Sequence, residues 1–129
     1  MSSSQEAGFA ATLRLTLLPN EAMADEVLLV LSTFPDVATA RRIARQLVEE
    51  RCAACANVLP AVESVYWWEG KVESGNETLV LFKTSADRYE ALETTLRQLH
   101  PYEVPEIIAL PIERGSSDYL GWVTGNCAG

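Results

Sequence analysis

Histidine occurs once in this chain of 129 residues, and cysteine three times. A small, odd number of cysteines does not suggest the disulfide framework of a secreted scaffold. The expectation is an intracellular, cytoplasmic protein with reduced thiols. Positive charge is also scarce. Ten Lys and Arg stand against 18 Asp and Glu, for a net charge of −8 and a pI near 4.6. That balance argues against a nucleic-acid partner, which needs clustered basic side chains. No apolar run approaches the ~20 residues of a membrane-spanning helix. The mildly apolar Gly8–Leu18 stretch lacks the basic segment that opens a signal peptide. No membrane partner is expected. Nucleophile elbows, H-E-x-x-H, P-loop and G-x-G-x-x-G patterns are missing too. No catalytic residues are therefore assigned, and the chain is not expected to be an enzyme.

What is present suits a single domain with a real core, preceded by an N-terminal extension over residues 1–25. Ser2-Ser3-Ser4-Gln5 reads as flexible and Pro19-Asn20-Glu21 as a breaker. Met23 could be the natural start; alternatively, Ala11–Leu18 alternates enough to form an accessory edge strand. The domain itself occupies residues 26–129. Val27-Leu28-Leu29-Val30-Leu31 reads as a central strand, its aliphatic run suiting burial on both faces. Pro35-Asp36 suit a first helical turn. Ala40, Ile43, Ala44, Leu47 and Val48 then form one apolar helical face, ending near Arg51.

Residues 53–83 read as a long hairpin, irregular at Pro60 and at Gly70, with further turn chemistry at Ser74-Gly75-Asn76. Thr84 and Asp87 have capping-box spacing. Tyr89, Leu92, Leu96 and Leu99 mark a second helical face, which Pro101 ends. Ile107–Ile112 is the last main strand. Ser117-Asp118 would cap a short helix through Val123, with Trp122 as its largest anchor and residues 125–129 frayed.

The order strand, helix, strand, strand, helix, strand specifies an α+β, ferredoxin-like βαββαβ sandwich, an antiparallel sheet with both helices on one face. The other sheet face would be apolar and uncovered, which predicts oligomerisation through it, with the long hairpin reaching a neighbour.

Two constellations carry candidate chemistry. Cys52-Ala53-Ala54-Cys55 matches C-x-x-C, but it lies at a helix C-terminus, where the dipole disfavours a thiolate. A zinc site would want four ligands. Cys55 is then read as a small buried hydrophobe and Cys52 as a surface or helix-end residue. The second constellation is the hinge His100-Pro101-Tyr102-Glu103-Val104-Pro105-Glu106, which holds the one imidazole beside two carboxylates on a backbone that its prolines keep extended. A divalent metal bound there would use His100 with Glu103 or Glu106, a donor set suited to Cu(II) or Zn(II). The aromatic run Tyr66-Trp67-Trp68-Glu69-Gly70-Lys71 is read as packing, because one lysine is too little charge for binding single-stranded nucleic acid.

Taken together, the ordered motifs resemble the CutA divalent-cation tolerance family. The resemblance runs from about Val27 to Val123. It rests on Ala53-Ala54-Cys55-Ala56-Asn57 followed by Pro60, Tyr66-Trp67-Trp68-Glu69-Gly70-Lys71, Leu81-Phe82-Lys83-Thr84, His100-Pro101-Tyr102-Glu103-Val104-Pro105-Glu106, and Asp118-Tyr119-Leu120-Gly121-Trp122. It implies a ferredoxin-like protomer in a tight homotrimer, similar in architecture to PII-type signalling proteins. It also implies a link to tolerance of divalent metals, copper especially, with no established catalytic activity. Copper binding in some members is attributed to thiols and to the histidine of H-P-Y-E, and Cys55 and His100 match those positions here. Other cysteines of the family fall at Ser32 and Thr95, which offer no thiolate for Cu(I). No cofactor is obligatory on this reading; Cu(II) or another divalent cation is the expected ligand, held by His100, Glu103, Glu106 and Cys55. The alternative is a trimeric sensor that takes a small anionic or zwitterionic molecule in inter-subunit clefts lined by Tyr66, Trp68, Lys71, Lys83, Tyr102 and Trp122.

Overall fold

The computed structural model describes residues 26–128. The expectations for residues 1–25, including the start at Met23 and the strand over Ala11–Leu18, lie outside that range. In order the elements are β1 (Val27–Phe34), α1 (Val37–Glu49), β2 (Cys55–Trp68), β3 (Lys71–Ser85), α2 (Tyr89–Leu99), β4 (Ile108–Pro111) and α3 (Ser117–Cys127). The strands form one antiparallel sheet in the order β2-β3-β1-β4. This is the expected ferredoxin-like arrangement.

The core lies between the sheet and α1 and α2. Strand alternation sends Val30 and Phe34 of β1, and Val80 and Phe82 of β3, to the same side. Ile43 and Leu47 of α1 and Leu92 and Leu96 of α2 close over them, all essentially inaccessible to solvent. Burying such a side chain contributes roughly 1.5–3 kcal/mol each. Asp36 is the N-cap of α1 and accepts from the Thr39 backbone N–H at 2.7 Å. Pro35 therefore sits just outside the helix rather than in its first turn. At the other end, Arg51 takes a left-handed φ of 61°, and the Cys52 N–H turns back to the Leu47 carbonyl at 2.9 Å. That closure satisfies the last helical carbonyls.

Several expectations are corrected by tertiary packing. The helix closure turns Cys52 into the core, whereas Cys55, at the start of β2, is only half-buried; the sequence reading had these reversed. Ser74-Gly75-Asn76 do not turn, but pair in register with Val65, Ser64 and Glu63. Cross-strand pairing outweighs their local preference. The hairpin turns instead at Glu69 and Gly70, both at positive φ, enclosed by the Trp68–Lys71 pair, as a type I′ turn requires. Pro60 does not end its strand. The register slips between Leu59 and Val62, with Ala61 at φ 64°, so a bulge absorbs the residue that cannot donate a hydrogen bond.

Thr84 is no helix cap. It lies within the last residues of β3, and its hydroxyl donates to the Cys52 carbonyl at 2.7 Å. Ser85 precedes a short 3-10 turn, Ala86–Arg88, that leads into α2. The last strand is shorter than expected, four residues. The C-terminal helix is longer, capped by Ser116 and running to Cys127. Its anchors are Val123 and Cys127, buried with Val27, while Trp122 is 47% exposed.

Among the described residues no helix covers the centre of the opposite sheet face. Register places Leu29, Leu31, Leu79, Leu81, Ile108 and Leu110 together there. The four leucines are half-buried, and Ile108 and Leu110 are exposed. The hairpin beyond the bulge is also bare, with Trp67 at 74% and Trp68 at 61% exposure.

Candidate functional site

Pro101 holds His100 extended after the last turn of α2, and the His100 N–H still bonds the Leu96 carbonyl at 2.9 Å. The imidazole is directed inward, 7% exposed, and stacks on Phe34 with centroids 4.6 Å apart. Its two nitrogens have different partners. The Tyr102 backbone N–H donates to Nδ1 at 3.1 Å, and Nε2 lies 2.8 Å from the Thr33 carbonyl. A backbone N–H can only donate and a carbonyl only accept, so the proton belongs on Nε2. Burial pushes the His100 pKa down, outweighing the raising effects of the Thr33 carbonyl and the Glu77 charge.

From His100 the network continues to the base of the hairpin. The Tyr102 hydroxyl donates to Glu77 Oε2 at 2.7 Å, and the Ser64 hydroxyl donates to Oε1 at 2.7 Å. Burial, then the Glu77 hydrogen bond and charge, push the Tyr102 pKa well above its ordinary value. Tyr66, nearby, adds to that shift. Glu77 thus ties β3, β2 and the loop after α2 together at the bulge.

A second cluster lies at the other end of β3. Lys83 Nζ donates to the Tyr119 hydroxyl at 3.2 Å and sits 5.3 Å from that ring's centroid. Tyr119 in turn stacks on Trp122, with centroids 5.6 Å apart at 23°. Lys83 pairs across the strands with Cys55.

The expected residues therefore divide among three places. Tyr102 bonds Glu77, and Tyr66 is near enough to Tyr102 to help raise its pKa. Trp68 and Lys71 face each other at the hairpin tip. Lys83 and Trp122 meet through Tyr119. Of the metal set, Cys55 lies at the Lys83 end and His100 at the Glu77 end, while Glu103 and Glu106 are exposed in the loop after α2. Among the described residues no group of three or more His, Cys, Asp or Glu side chains comes together. The described residues of one chain do not close a metal site, and His100 already uses both nitrogens.

Glu77, Ser64 and Tyr119 escaped the sequence reading. Glu77 carried a signal: it continues the alternation of Leu79 and Leu81, a carboxylate next to two leucines on one row. Tyr119 lies three residues before Trp122, the spacing of helical neighbours.

Comparison with known proteins agrees with this architecture. Residues 28–126 match the family model described as CutA1 divalent ion tolerance protein. The chain is similar to the divalent-cation tolerance protein CutA of Yersinia pestis (strain Pestoides F), at 42% identity over 108 residues, covering 84% of this chain and 91% of that one. Among solved structures it resembles CutA from Xylella fastidiosa, with a TM-score of 0.77 and 43% identity over 79% of this chain and 98% of the other. It also resembles the divalent cation tolerance protein Cut A1 from Thermus thermophilus, with a TM-score of 0.75 and 46% identity over 78% of this chain and 97% of the other.

Proposed function

The chain belongs to the CutA1 divalent ion tolerance family, and we propose that it works as a cytoplasmic homotrimer that binds Cu(II) or another divalent cation at sites completed between subunits. The observation that carries this reading is the uncovered leucine face of the sheet, with the bare aromatic hairpin beside it. Apolar surface of that extent marks an interface. The compartment rests on three cysteines that are all free thiols, as a reducing environment would keep them.

For the metal, Glu103 and Glu106 offer exposed carboxylates, and Cys55 a half-buried thiol. His100 joins them only if Tyr102 N–H releases Nδ1. The remaining ligands come from a neighbouring subunit or water, so binding depends on the trimer and is only moderately tight. Light scattering and Cu(II) calorimetry on the same preparation test both parts. A monomeric mass at micromolar concentration removes the trimer. Unchanged Cu(II) affinity in both His100→Ala and the double variant Glu103→Gln/Glu106→Gln removes the loop from the metal site.

A further inference from the structure

A groove of about 580 Å³ runs between α1, the first half of β2 and α3. We propose that it binds a small monoanion with a flat apolar body, an aromatic carboxylate. Its volume lies within the ~300–1,000 Å³ usual for small-molecule sites. The floor is made of short apolar side chains, Val48 from α1 and Ala56 and Val58 from β2, which leaves depth for a ring. Trp122 forms one wall. Its indole is held by the stack on Tyr119 and remains about half exposed, so it is a braced surface on which an aromatic ligand can lie.

The opposite wall supplies the charge. Arg41 and Arg45 lie one turn apart on α1 and both line the groove. Arg41 has no ion pair among the described residues. Arg45 meets Glu49, also at the groove, at 3.8 Å, with side chains 80% and 64% exposed, a contact that water and salt largely screen. Two planar guanidinium forks beside an apolar slot match a carboxylate. A polyphosphate fits less well, because two cations do not offset its repulsion by a chain of net charge −8. Cys55, one of the proposed metal donors, also lines the groove, so the two sites share that one residue.

The test is calorimetric titration of the full chain with 2-naphthoate, 2-naphthamide and inorganic phosphate. One saturable naphthoate site per chain is expected, weakening as salt is raised. The amide should bind at least about tenfold more weakly, since it lacks the charge-assisted hydrogen bonds. Phosphate alone should give no saturable heat. Arg41→Gln/Arg45→Gln and, separately, Trp122→Ala should each weaken naphthoate by about tenfold or more. Glu103→Gln/Glu106→Gln should leave it unchanged. Both arginines are exposed on a helix and glutamine is a good helix former, so the double variant should keep the native far-UV spectrum. The proposal is overturned by no saturable heat at millimolar naphthoate, by affinity within twofold of native in the arginine variant, or by equal binding of acid and amide.

Discussion

Replacing Tyr102 by phenylalanine removes one oxygen and keeps the ring, which tilts against His100 at a centroid distance of 4.9 Å. The oxygen makes one contact of consequence, its 2.7 Å hydrogen bond to Glu77 Oε2. A hydrogen bond to a charged group contributes about 1.5–3 kcal/mol. Glu77 keeps Ser64 on its other oxygen and is only half-buried, so water recovers part of the loss. The expected destabilisation is therefore near the low end, about 1.5 kcal/mol at pH 7.

The pH dependence supplies a sharper signature. Burial and Glu77 hold the Tyr102 pKa above that of a free tyrosine. The folded chain thus keeps a proton that the unfolded chain releases above about pH 10. Stability from this group is fully present below that pH and is lost as pH rises beyond it. Tyr89, whose pKa burial also raises, titrates alike in both proteins and cancels. The gap between native protein and Tyr102→Phe should narrow between about pH 9 and pH 11. Urea unfolding followed by tryptophan fluorescence, at one fixed protein concentration, measures it. A gap that is absent at pH 7, or constant up to pH 11, refutes the assignment of Tyr102 as the link between loop and hairpin.

Acid should weaken the fold through His100: its folded pKa lies below the usual value, so stability present above about pH 6.5 is lost as pH falls. Thermal melts at pH 7.5 and 5.5 should show a drop that His100→Gln reduces, at the cost of a lower starting stability. Ser32 is fully buried and its hydroxyl finds no partner among the described residues; Ser32→Ala should raise stability by about 1 kcal/mol, read by urea unfolding. Trp68 is mostly exposed in one chain, so Trp68→Ala should leave the protomer fold intact and instead lower assembly, seen as a concentration-dependent mass in light scattering. A strictly trimeric variant at nanomolar concentration would show that the hairpin tip contributes nothing to association.

Local pattern predicted most where one element admits one packing. The apolar face of α1 was readable because Ala40, Ile43, Ala44 and Leu47 leave a single side to bury. The hairpin was readable because β-branched and aromatic residues flank Glu69-Gly70. What could not be read depends on partners distant in sequence. Nothing near His100 says that its ring will lie on Phe34 with its Nε2 on the Thr33 carbonyl. Thr84 has the spacing of a cap, yet its hydroxyl serves Cys52, 32 residues earlier. Trp122 is large enough to anchor a helix, but helical phase gives that place to Val123 and Cys127. The hinge was located correctly as a junction, while the polarity of its imidazole was decided by tertiary contacts.

The division of the expected site has a geometric consequence for the proposed trimer. Glu77 and Lys83 are six residues apart on one strand, so the Tyr102 and Tyr119 clusters are separated by roughly 20 Å. No side-chain rearrangement within one chain brings them together. The sheet also ends in two different edges, β2 carrying the hairpin and the short, exposed β4. A two-fold dimer would set one edge against itself, whereas a closed three-fold ring sets one patch against a different one on the next subunit. Two unlike edges flanking a leucine face fit the second arrangement. In such a ring, the Glu77 end of one subunit can approach the Lys83 end of another, and a cleft using both clusters exists only between subunits. Light scattering of native protein and of Leu31→Glu, whose side chain lies on the leucine face, separates the cases: the variant should be monomeric with native far-UV dichroism, and a variant that remains trimeric would place the interface elsewhere.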